Sequence, residues 1–380
     1  MLIEHCIAES PDLRKNYRSF WHGIHAAVPS ENPAEPSLMS LATEKGIPST
    51  LITDAEWLAN DPLAESFHEC VLLKDSDQAT EPASTTEETR VARLFAEATD
   101  FVSSAKEAGI YWIHADAMNG LWQAPTRLRE QFVGDEDPDP PTFVEPPHQN
   151  LESPVDPDKL LALSQAYAAE VQVVDECLFE FLEMVRQSKL SQSTDLAVIA
   201  TSPRGYALGE HNIVGDGAAK QDVGCLHAES LGLPLLMQLP AGRAVAARDQ
   251  RLAQHCDVFA TIGEWLKLET PSSPSFGSSL LSTDSLRQRA FTIGANQMAI
   301  RTASWSWISS RICDEPAINP PQPALFVKPD DRCEVNDVVK LCHQVAEEFE
   351  KDAAHCKGRF GEGKLPERLA EESVLVQPHD

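Results

Sequence analysis

Apolar strands that alternate with amphipathic helices constrain the fold of this chain more than any other feature. Four short apolar segments stand out, at Thr50–Thr53, Ile110–His114, Leu196–Thr201 and Leu233–Leu239. A helical pattern precedes each of the first three, and the longest of these patterns covers residues 157–188 with apolar residues at a 3.6-residue period. Strands joined through helices pair in parallel and are covered on both faces. The sequence therefore predicts an α/β fold with a mainly parallel sheet flanked by helices.

A change of pattern near residue 270 indicates a second, smaller part of the chain. A run rich in serine and proline occupies residues 270–283. Two strand patterns and one helix pattern follow, at residues 298–308, 325–328 and 335–354. This order is typical of a small α+β subdomain. The predicted parts are a core domain over residues 1–269, a C-terminal subdomain over residues 284–355 and a polar tail over residues 356–380.

The charge of the chain limits its partners. It carries 59 acidic residues against 31 basic ones, which gives a formal net charge of −28 at pH 7. Such a field repels a phosphate backbone and an anionic lipid surface, and no apolar run is long enough to span a bilayer. We therefore expect a protein or a small molecule as the partner, and neither nucleic acid nor a membrane.

The cysteines indicate a reducing compartment. Nine of them are scattered through the chain, and none belongs to a Cys-x-x-Cys pair. Disulfide frameworks and zinc sites have closer, patterned spacing. The residues after Met1 lack the basic and apolar regions of a signal peptide. Together these observations predict reduced thiols and a cytoplasmic location.

Four motifs follow one another in an order that points to one family. The first is a Tyr-x-x-Glu-Val-x-x-x-Asp helix at residues 167–175, and the second is a Gly-Glu-His turn at residues 209–211, after an apolar strand. The third is a segment at residues 227–235 that ends in Pro-Leu, and the fourth is a segment at residues 255–261 that begins with His-Cys-Asp. In content and order they resemble the motifs of sulfatases, a family of the alkaline phosphatase superfamily. The resemblance covers most of the chain. It implies the α/β fold of that family, a small C-terminal subdomain and the hydrolysis of sulfuric esters.

The nucleophile of that family is a formylglycine, made from the first residue of a Cys/Ser-x-Pro-x-Arg motif. Ser10-Pro11 and Gly23 supply the frame of this motif here. Within the frame the modified position falls on Leu13, the proline on Lys15 and the arginine on Tyr17. Leucine cannot be oxidised to an aldehyde. The resemblance therefore implies that no covalent sulfate forms at this position.

The metal ligands that the resemblance implies are also changed. In sulfatases a divalent metal is held by Asp and Asn side chains and polarises the sulfate. One pair of ligands follows the family's first strand, which we predict to be missing, because only a few residues separate Met1 from Ser10. The other pair falls on Pro203 and Arg204. Proline offers no side-chain donor atom and arginine stays protonated, so we expect neither Ca²⁺ nor Mg²⁺ as a cofactor.

The basic groups that hold the sulfate in the family are replaced as well. A lysine position falls on Asp54, and two histidine positions fall on Glu56 and Asn119. A carboxylate in place of a cation about 4 Å from a sulfate turns attraction into repulsion, at roughly a few kcal/mol per charge. Other residues can still line a cleft, and the candidates are Arg14, Lys15, Arg18, His114, His211 and Lys220.

Three hypotheses follow. The first is a catalytically inactive sulfatase-like protein, a pseudoenzyme with a binding or interaction role. The second is a divergent metal-dependent hydrolase of sulfate or phosphate esters, in which Arg204 and nearby carboxylates act on the substrate. The third is that a further segment upstream of Met1 supplies the first strand. The concurrent change of nucleophile, metal-ligand and sulfate-binding positions favours the first.

Overall fold

The computed structural model describes residues 1–29, 36–74, 79–152, 154–188, 195–217, 225–240, 247–270, 277–282, 287–309 and 322–361. The chain forms two compact units. The first consists of Met1–Leu41, Ala197–Ala207 and Ala219–Asp380, and the second of Ala42–Leu196 and Leu208–Ala218. None of the helices in the described ranges is long and apolar enough to cross a membrane.

Strands and helices alternate over most of the described chain. The strands are β1 (Leu2–Ile7), β2 (Ser49–Thr53), β3 (Glu69–Leu72), β4 (Ile110–His114), β5 (Gln149–Asn150), β6 (Val198–Thr201), β7 (Ala207–Leu208), β8 (Ile213–Gly215), β9 (Gly232–Gln238), β10 (Arg248–Ala253), β11 (Ala290–Ile293), β12 (Met298–Arg301), β13 (Trp305–Ile308) and β14 (Ala324–Val327). The helices are α1 (Leu13–His22), α2 (Leu38–Glu44), α3 (Glu56–Ala59), α4 (Arg90–Ser104), α5 (Thr126–Arg129), α6 (Pro157–Gln187), α7 (Ala228–Leu231), α8 (His255–Trp265) and α9 (His343–Gly361).

The main sheet of the first unit has the strand order β10-β1-β9-β6. β1 pairs in parallel with β10 and antiparallel with β9, and β6 pairs antiparallel with β9. The sheet is therefore mixed, because β9 runs against the other three strands. β1, β6 and β10 run in the same direction, so the loops that follow them leave from the same edge of the sheet.

The N-terminal strand corrects a prediction. The sequence predicted that the first strand is missing, but β1 is an inner strand of this sheet. Ile3 and Cys6 are almost completely buried. Glu4 and His5 interrupt the apolar run between them, so the segment has neither a clear alternation nor a continuous apolar stretch. Pairing with neighbours on both sides supplies the stability that the local sequence does not.

The second unit is built on an all-parallel sheet with the order β3-β2-β4. α4 and α6 carry the apolar stripes that the sequence predicted, and they bury them together with Ile52 of β2. Leu94 of α4 and Phe181 of α6 belong to this core. The 31-residue helix α6 begins at Pro157, behind the N-cap Asp156, whose side chain accepts a hydrogen bond from the Asp158 N–H.

The predicted C-terminal subdomain is an antiparallel sheet of order β11-β12-β13-β14, which belongs to the first unit. Trp307 stacks on Phe349 of α9 with 6.0 Å between ring centroids. α9 lies later than the helix predicted over residues 335–354, because Asp337 Oδ1 accepts hydrogen bonds from Leu325 N and Val339 N and holds a turn there. The predicted tail from residue 356 is helical up to Gly361, and residues 362–380 lie outside the described residues.

A fully buried arginine organises the loop between β4 and α5 in the second unit. Arg129 donates hydrogen bonds to four carbonyl oxygens, those of Ala124 (3.2 Å), Pro141 (2.6 Å), Phe143 (2.9 Å) and Trp122 (2.9 Å). Opposite it, the buried carboxylate of Glu170 on α6 accepts a hydrogen bond from Ala124 N at 2.8 Å. Burial raises the pKa of Glu170 to about 7. The Tyr-x-x-Glu-Val motif thus has a structural role, because its glutamate fixes this loop.

Replacing Arg129 should destabilise the protein strongly. In Arg129→Met four buried carbonyl oxygens lose their donor, and the free energy of unfolding should fall by about 3–5 kcal/mol. Arg127→Met is the matched control, because Arg127 lies on the same helix but is exposed and, among the described residues, makes a single side-chain hydrogen bond, to Thr86 Oγ1 at 3.2 Å; its effect should stay within about 1 kcal/mol. Urea denaturation followed by circular dichroism measures both, and equal effects would contradict the assignment.

Candidate functional site

The end of β1 places a buried carboxylate in the first unit. Glu9 follows the strand after one residue and has no exposed surface. Its Oε1 accepts a hydrogen bond from Cys256 N at 2.9 Å. Its Oε2 accepts one from Ser19 Oγ at 2.6 Å and one from Ala26 N at 2.9 Å. The two carboxylate oxygens therefore accept hydrogen bonds from α8, from α1 and from the segment that follows α1.

These contacts keep Glu9 ionised. Burial by itself raises the pKa of this carboxyl, but the charges of His25 and His255 and the hydrogen bonds from Ser19 and Cys256 lower it to about 2. His25 Nε2 lies 3.8 Å from Glu9 Oε2. Burial also lowers the pKa of both imidazoles, that of His255 to about 4. Because the imidazoles are neutral at pH 7, the hydrogen bonds are what stabilise the carboxylate there.

α1 carries the positions that the resemblance assigns to the nucleophile motif. Asp12 caps the helix, and its Oδ1 accepts a hydrogen bond from Arg14 N at 2.9 Å. Leu13 is the first helical residue and is half-buried. Tyr17 is only 2% exposed and packs against Trp21 with 4.9 Å between ring centroids. Tyr17, to which the resemblance assigns the motif's arginine, is thus part of the hydrophobic core.

The basic candidates on α1 differ in their surroundings. Arg14 is exposed and Lys15 is half-buried, both in the first turn. Arg18 donates from Nη2 to the carbonyl oxygens of His25 (3.2 Å) and Val28 (2.6 Å). Arg18 therefore fixes the chain that leaves the helix, which is a different role from the cleft cation expected from the sequence.

The loop after β6 contains Pro203 and Arg204, both half-buried. The Pro203 carbonyl oxygen accepts a hydrogen bond from Asn16 Nδ2 at 2.8 Å, and the Arg204 carbonyl oxygen accepts one from Ser202 Oγ at 2.5 Å. The same amide nitrogen of Asn16 also donates to the Ser10 carbonyl oxygen at 2.7 Å. Asn16 of α1 thus joins Ser10, at the start of the segment that resembles the nucleophile motif, to Pro203 in the loop after β6.

All but one of the remaining candidates belong to the second unit, in which Asp54 directly follows the strand β2. Its Oδ2 forms an ion pair with Arg90 Nε at 2.9 Å, and its Oδ1 accepts a hydrogen bond from Asp116 N at 2.8 Å. Arg90 also donates to the Asp54 carbonyl oxygen. Asp54 is 2% exposed. Asp54 therefore has a structural role, because its carboxylate pairs with Arg90 and binds the loop at Asp116.

The residues around Asp54 form a polar group at the ends of β2 and β4. Asn119 Nδ2 donates to Asp116 Oδ1 at 3.3 Å, and His114 Nε2 lies 3.9 Å from the same oxygen. Burial lowers the pKa of His114 to about 4, so its ring is neutral at pH 7. Glu56 stands apart from these contacts as an exposed residue at the start of α3.

The last two candidates, His211 and Lys220, follow the predicted metal loop in the sequence. His211 is half-buried and belongs to the second unit, in a turn where Asn212 N donates to the Gly209 carbonyl oxygen at 3.0 Å. Gly209 has a φ of +112°, and a Cβ there would lie 2.5 Å from a methyl group of Leu160. Glycine is required at this turn for both reasons. Lys220 lies outside the described residues.

The residues at the altered ligand positions do not fit a divalent metal. Both oxygens of Glu9 are used by N–H and O–H donors, and Pro203 and Arg204 offer no anionic side chain. Among the residues that the structure describes, no three His, Cys, Asp or Glu side chains are grouped to hold a metal ion.

Sequence reasoning missed Glu9, Asn16 and Arg90, which make the decisive contacts. Glu9 had a detectable signal, because an acid directly after an apolar strand is either a ligand or a buried carboxylate. Asn16 and Arg90 had none, since each binds a segment far away along the chain, 187 residues in the case of Asn16 and Pro203.

Comparison with known proteins decides the family. The sulfatase family model matches residues 14–268. The chain belongs to the sulfatase family. The resemblance predicted from the motifs is confirmed, and so is the α/β fold with its C-terminal antiparallel sheet. Among curated proteins, no relative matches the sequence.

Solved structures agree with this assignment at the level of the fold. A phosphonate monoester hydrolase of Agrobacterium radiobacter superposes on this sulfatase-family chain with a TM-score of 0.67 at 14% identity, covering 94% of this chain and 88% of that one. For a putative sulfatase from Bacteroides thetaiotaomicron the TM-score is 0.69 at 12% identity, with coverages of 96% and 85%. A phosphonate monoester hydrolase from Silicibacter pomeroyi gives 0.63 at 14% identity, with coverages of 94% and 88%.

Two of the buried imidazoles, those of His114 and His255, predict a pH dependence of stability. The pKa values of His114 and His255 in the folded state are about 4, below the ordinary value near 6.5. Each neutral imidazole therefore contributes stability that is complete above about pH 6.5 and is lost as the pH falls toward 4, with a slope of about 1.4 kcal/mol per pH unit.

Substitution isolates this contribution from those of other groups. Between pH 6.5 and 4, the unfolding free energy of His114→Gln should fall less steeply than that of the wild type. The exposed His343 provides the control, and His343→Gln should change the slope less than His114→Gln does. Urea denaturation at half-unit pH steps measures the slopes. Parallel profiles for the wild type and His114→Gln would show that His114 is not buried in its neutral form.

Proposed function

We propose that this chain is a catalytically inactive member of the sulfatase family, whose retained fold serves a binding or interaction role. The observation that carries the proposal is the state of the nucleophile motif on α1. Leu13 stands at the position that forms the formylglycine, and a leucine side chain has neither the thiol nor the hydroxyl that this oxidation requires. No covalent sulfate intermediate can form there.

The burial of Tyr17 supports the same proposal. The motif's arginine would need a polar environment, but position 17 faces Trp21 and Phe20 in the core, with ring centroids 4.9 and 6.0 Å away. A guanidinium placed there would be desolvated without a partner. The core has therefore been rebuilt around the loss of the motif, so the site differs from an active one by more than a single substitution.

The polar groups of the site support it as well. The carboxylates at the ends of β1 and β2, Glu9 and Asp54, are turned inward onto donors of the chain itself. An active hydrolase of this family would need carboxylates that face a metal and cations that face a sulfate. The names of the similar structures include phosphonate monoester hydrolases, and that activity belongs to those proteins.

The partner that we propose is a protein or a small molecule. The net charge of −28 disfavours polyanions at long range. The eight cysteines that the structure describes are free, which agrees with the proposed reducing, cytoplasmic environment.

The direct test is an assay of ester hydrolysis by the purified protein. We expect no turnover of 4-nitrophenyl sulfate, 4-nitrophenyl phosphate or a phenylphosphonate monoester above the rate in buffer, with or without Ca²⁺, Mg²⁺, Mn²⁺ or Zn²⁺. A sulfatase of known activity, assayed in parallel, confirms the conditions. Metal-dependent turnover that follows the protein through chromatography and saturates with substrate would overturn the proposal.

A second test uses stability to show that the motif has been absorbed into the core. Tyr17→Arg restores the family residue but buries a charge, and it should lower the free energy of unfolding by more than about 3 kcal/mol. Tyr17→Phe keeps the ring and should cost about 1 kcal/mol or less. Both are measured by urea denaturation. A Tyr17→Arg variant as stable as Tyr17→Phe would mean that position 17 still accommodates the motif's arginine.

A further inference from the structure

The loops after β1 and β6 leave the same edge of the first unit's sheet. In sulfatases, on the resemblance stated above, each of these two loops carries metal ligands, and the metal bridges them. Here the loop after β1 contains Glu9 and Ser10, and the loop after β6 contains Pro203 and Arg204. With the ligands replaced, another interaction has to hold the two loops together.

The side chain of Asn16 makes that interaction. Its Nδ2 donates one hydrogen bond to the Ser10 carbonyl oxygen at 2.7 Å and another to the Pro203 carbonyl oxygen at 2.8 Å. The residue is completely buried. An amide NH₂ group has two hydrogens, and each of them meets an oxygen from a different loop. Asn16 therefore links the two loops through their backbones.

We infer that the Asn16 amide has taken the place of the family's metal ion as the bridge between the loops that follow β1 and β6. The inference goes beyond the proposed function, because a protein without a nucleophile can still bind a structural metal. It states that this chain needs no divalent metal to order these loops, since a neutral donor of the chain itself provides the link.

The chemistry of the donor groups supports the replacement. A carbonyl oxygen can either coordinate a divalent cation or accept a hydrogen bond from an N–H donor. The carbonyl oxygens of Ser10 and Pro203 accept hydrogen bonds from the Asn16 amide. Glu9, the carboxylate nearest in sequence, is engaged by Ser19, Ala26 and Cys256. A cation beside the Asn16 NH₂ group would meet its positive end, and the nearby Asp12 caps α1 by accepting from Arg14 N at 2.9 Å.

The surrounding contacts fix the donor in position. The Ser10 hydroxyl donates to the Ile293 carbonyl oxygen at 2.9 Å and accepts from Asp12 N at 3.1 Å. Gly205 N donates to the Ser230 carbonyl oxygen at 2.8 Å, which holds the loop after β6 from its other side. Asn16 Oδ1 is buried without a hydrogen-bond partner among the described residues. One neutral oxygen is too weak a ligand set for Ca²⁺ or Mg²⁺.

The substitution Asn16→Asp tests the bridge with almost no change of shape. It replaces the donor NH₂ with an acceptor oxygen, so the carbonyl oxygens of Ser10 and Pro203 lose both hydrogen bonds and face a negative charge. Hydrogen exchange followed by mass spectrometry should then be faster by roughly tenfold or more in peptides that cover residues 10–12 and 203–207. Peptides from the second unit should exchange as in the wild type.

The matched control is Asn336→Asp, which makes the same change at an exposed residue of the same unit and should leave exchange unchanged in the peptides that cover residues 10–12 and 203–207. Equal exchange in Asn16→Asp and the wild type would overturn the role of Asn16. If Asn16→Asp fails to fold, Asn16→Ser, which removes one of the two donors, is measured in its place.

Metal dependence tests the other half of the inference. Elemental analysis of the wild-type protein, purified without chelator, should find less than a tenth of an equivalent of Ca²⁺, Mg²⁺, Mn²⁺ or Zn²⁺. The melting temperature should not change with EDTA or with millimolar Ca²⁺ or Mg²⁺. A stoichiometric metal, or a melting temperature that EDTA lowers, would overturn the inference. The proposed lack of ester hydrolysis would still stand, since the assay tests that separately.

Discussion

The first unit depends on how a single buried carboxylate is satisfied. Glu9 has no exposed surface, and an ionised carboxylate in such a place is stable only when hydrogen-bond donors replace the water it has lost. The donors come from three segments: the start of α8 at Cys256, the second turn of α1 at Ser19 and the chain after α1 at Ala26. Each segment is therefore positioned by the requirement of one charge, and removing the charge would release all three.

The second unit also contains buried carboxylates that bind donors of the chain. Asp54 at the end of β2 is paired with Arg90 of α4 and accepts a hydrogen bond from the loop after β4. Glu170 of α6 and Arg129 of α5 hold the segment around Ala124 between them. In both units, acidic groups close to strand ends or motif positions point into the protein. The loops that carry function in a sulfatase are here part of the stabilising framework.

The elements that could be predicted from sequence are those whose signal is local. β2, β4, α4 and α6 were predicted because their apolar residues are contiguous or recur at the helical period. β1 was missed because Glu4 and His5 break its pattern, and its stability comes from strands that follow more than 220 residues later. The start of α9 was predicted too early, because the side chain of Asp337 favours a turn that hydropathy does not reveal.

The candidate site divides in the same way. The motif positions Leu13, Pro203 and Arg204 could be read from the sequence, since their meaning depends only on side-chain chemistry. The contacts that these positions make in the folded chain could not be predicted. The contact between Asn16 and Pro203 joins residues 187 positions apart, and it uses a backbone oxygen that any residue would present.

Asn16 binds the loop after β6 through a backbone oxygen. This explains how the loop tolerates proline at a position that the resemblance assigns to a metal ligand. Proline lacks both a donor side chain and a backbone N–H, so its carbonyl is the only polar group it can offer, and that is the group that Asn16 binds. A link made to the backbone places no demand on the side chain at position 203. With the bridge that we propose, the side chains at 203 and 204 do not have to be anionic. The proposed bridge thus accounts for a proline at a position where the resemblance implies a metal ligand.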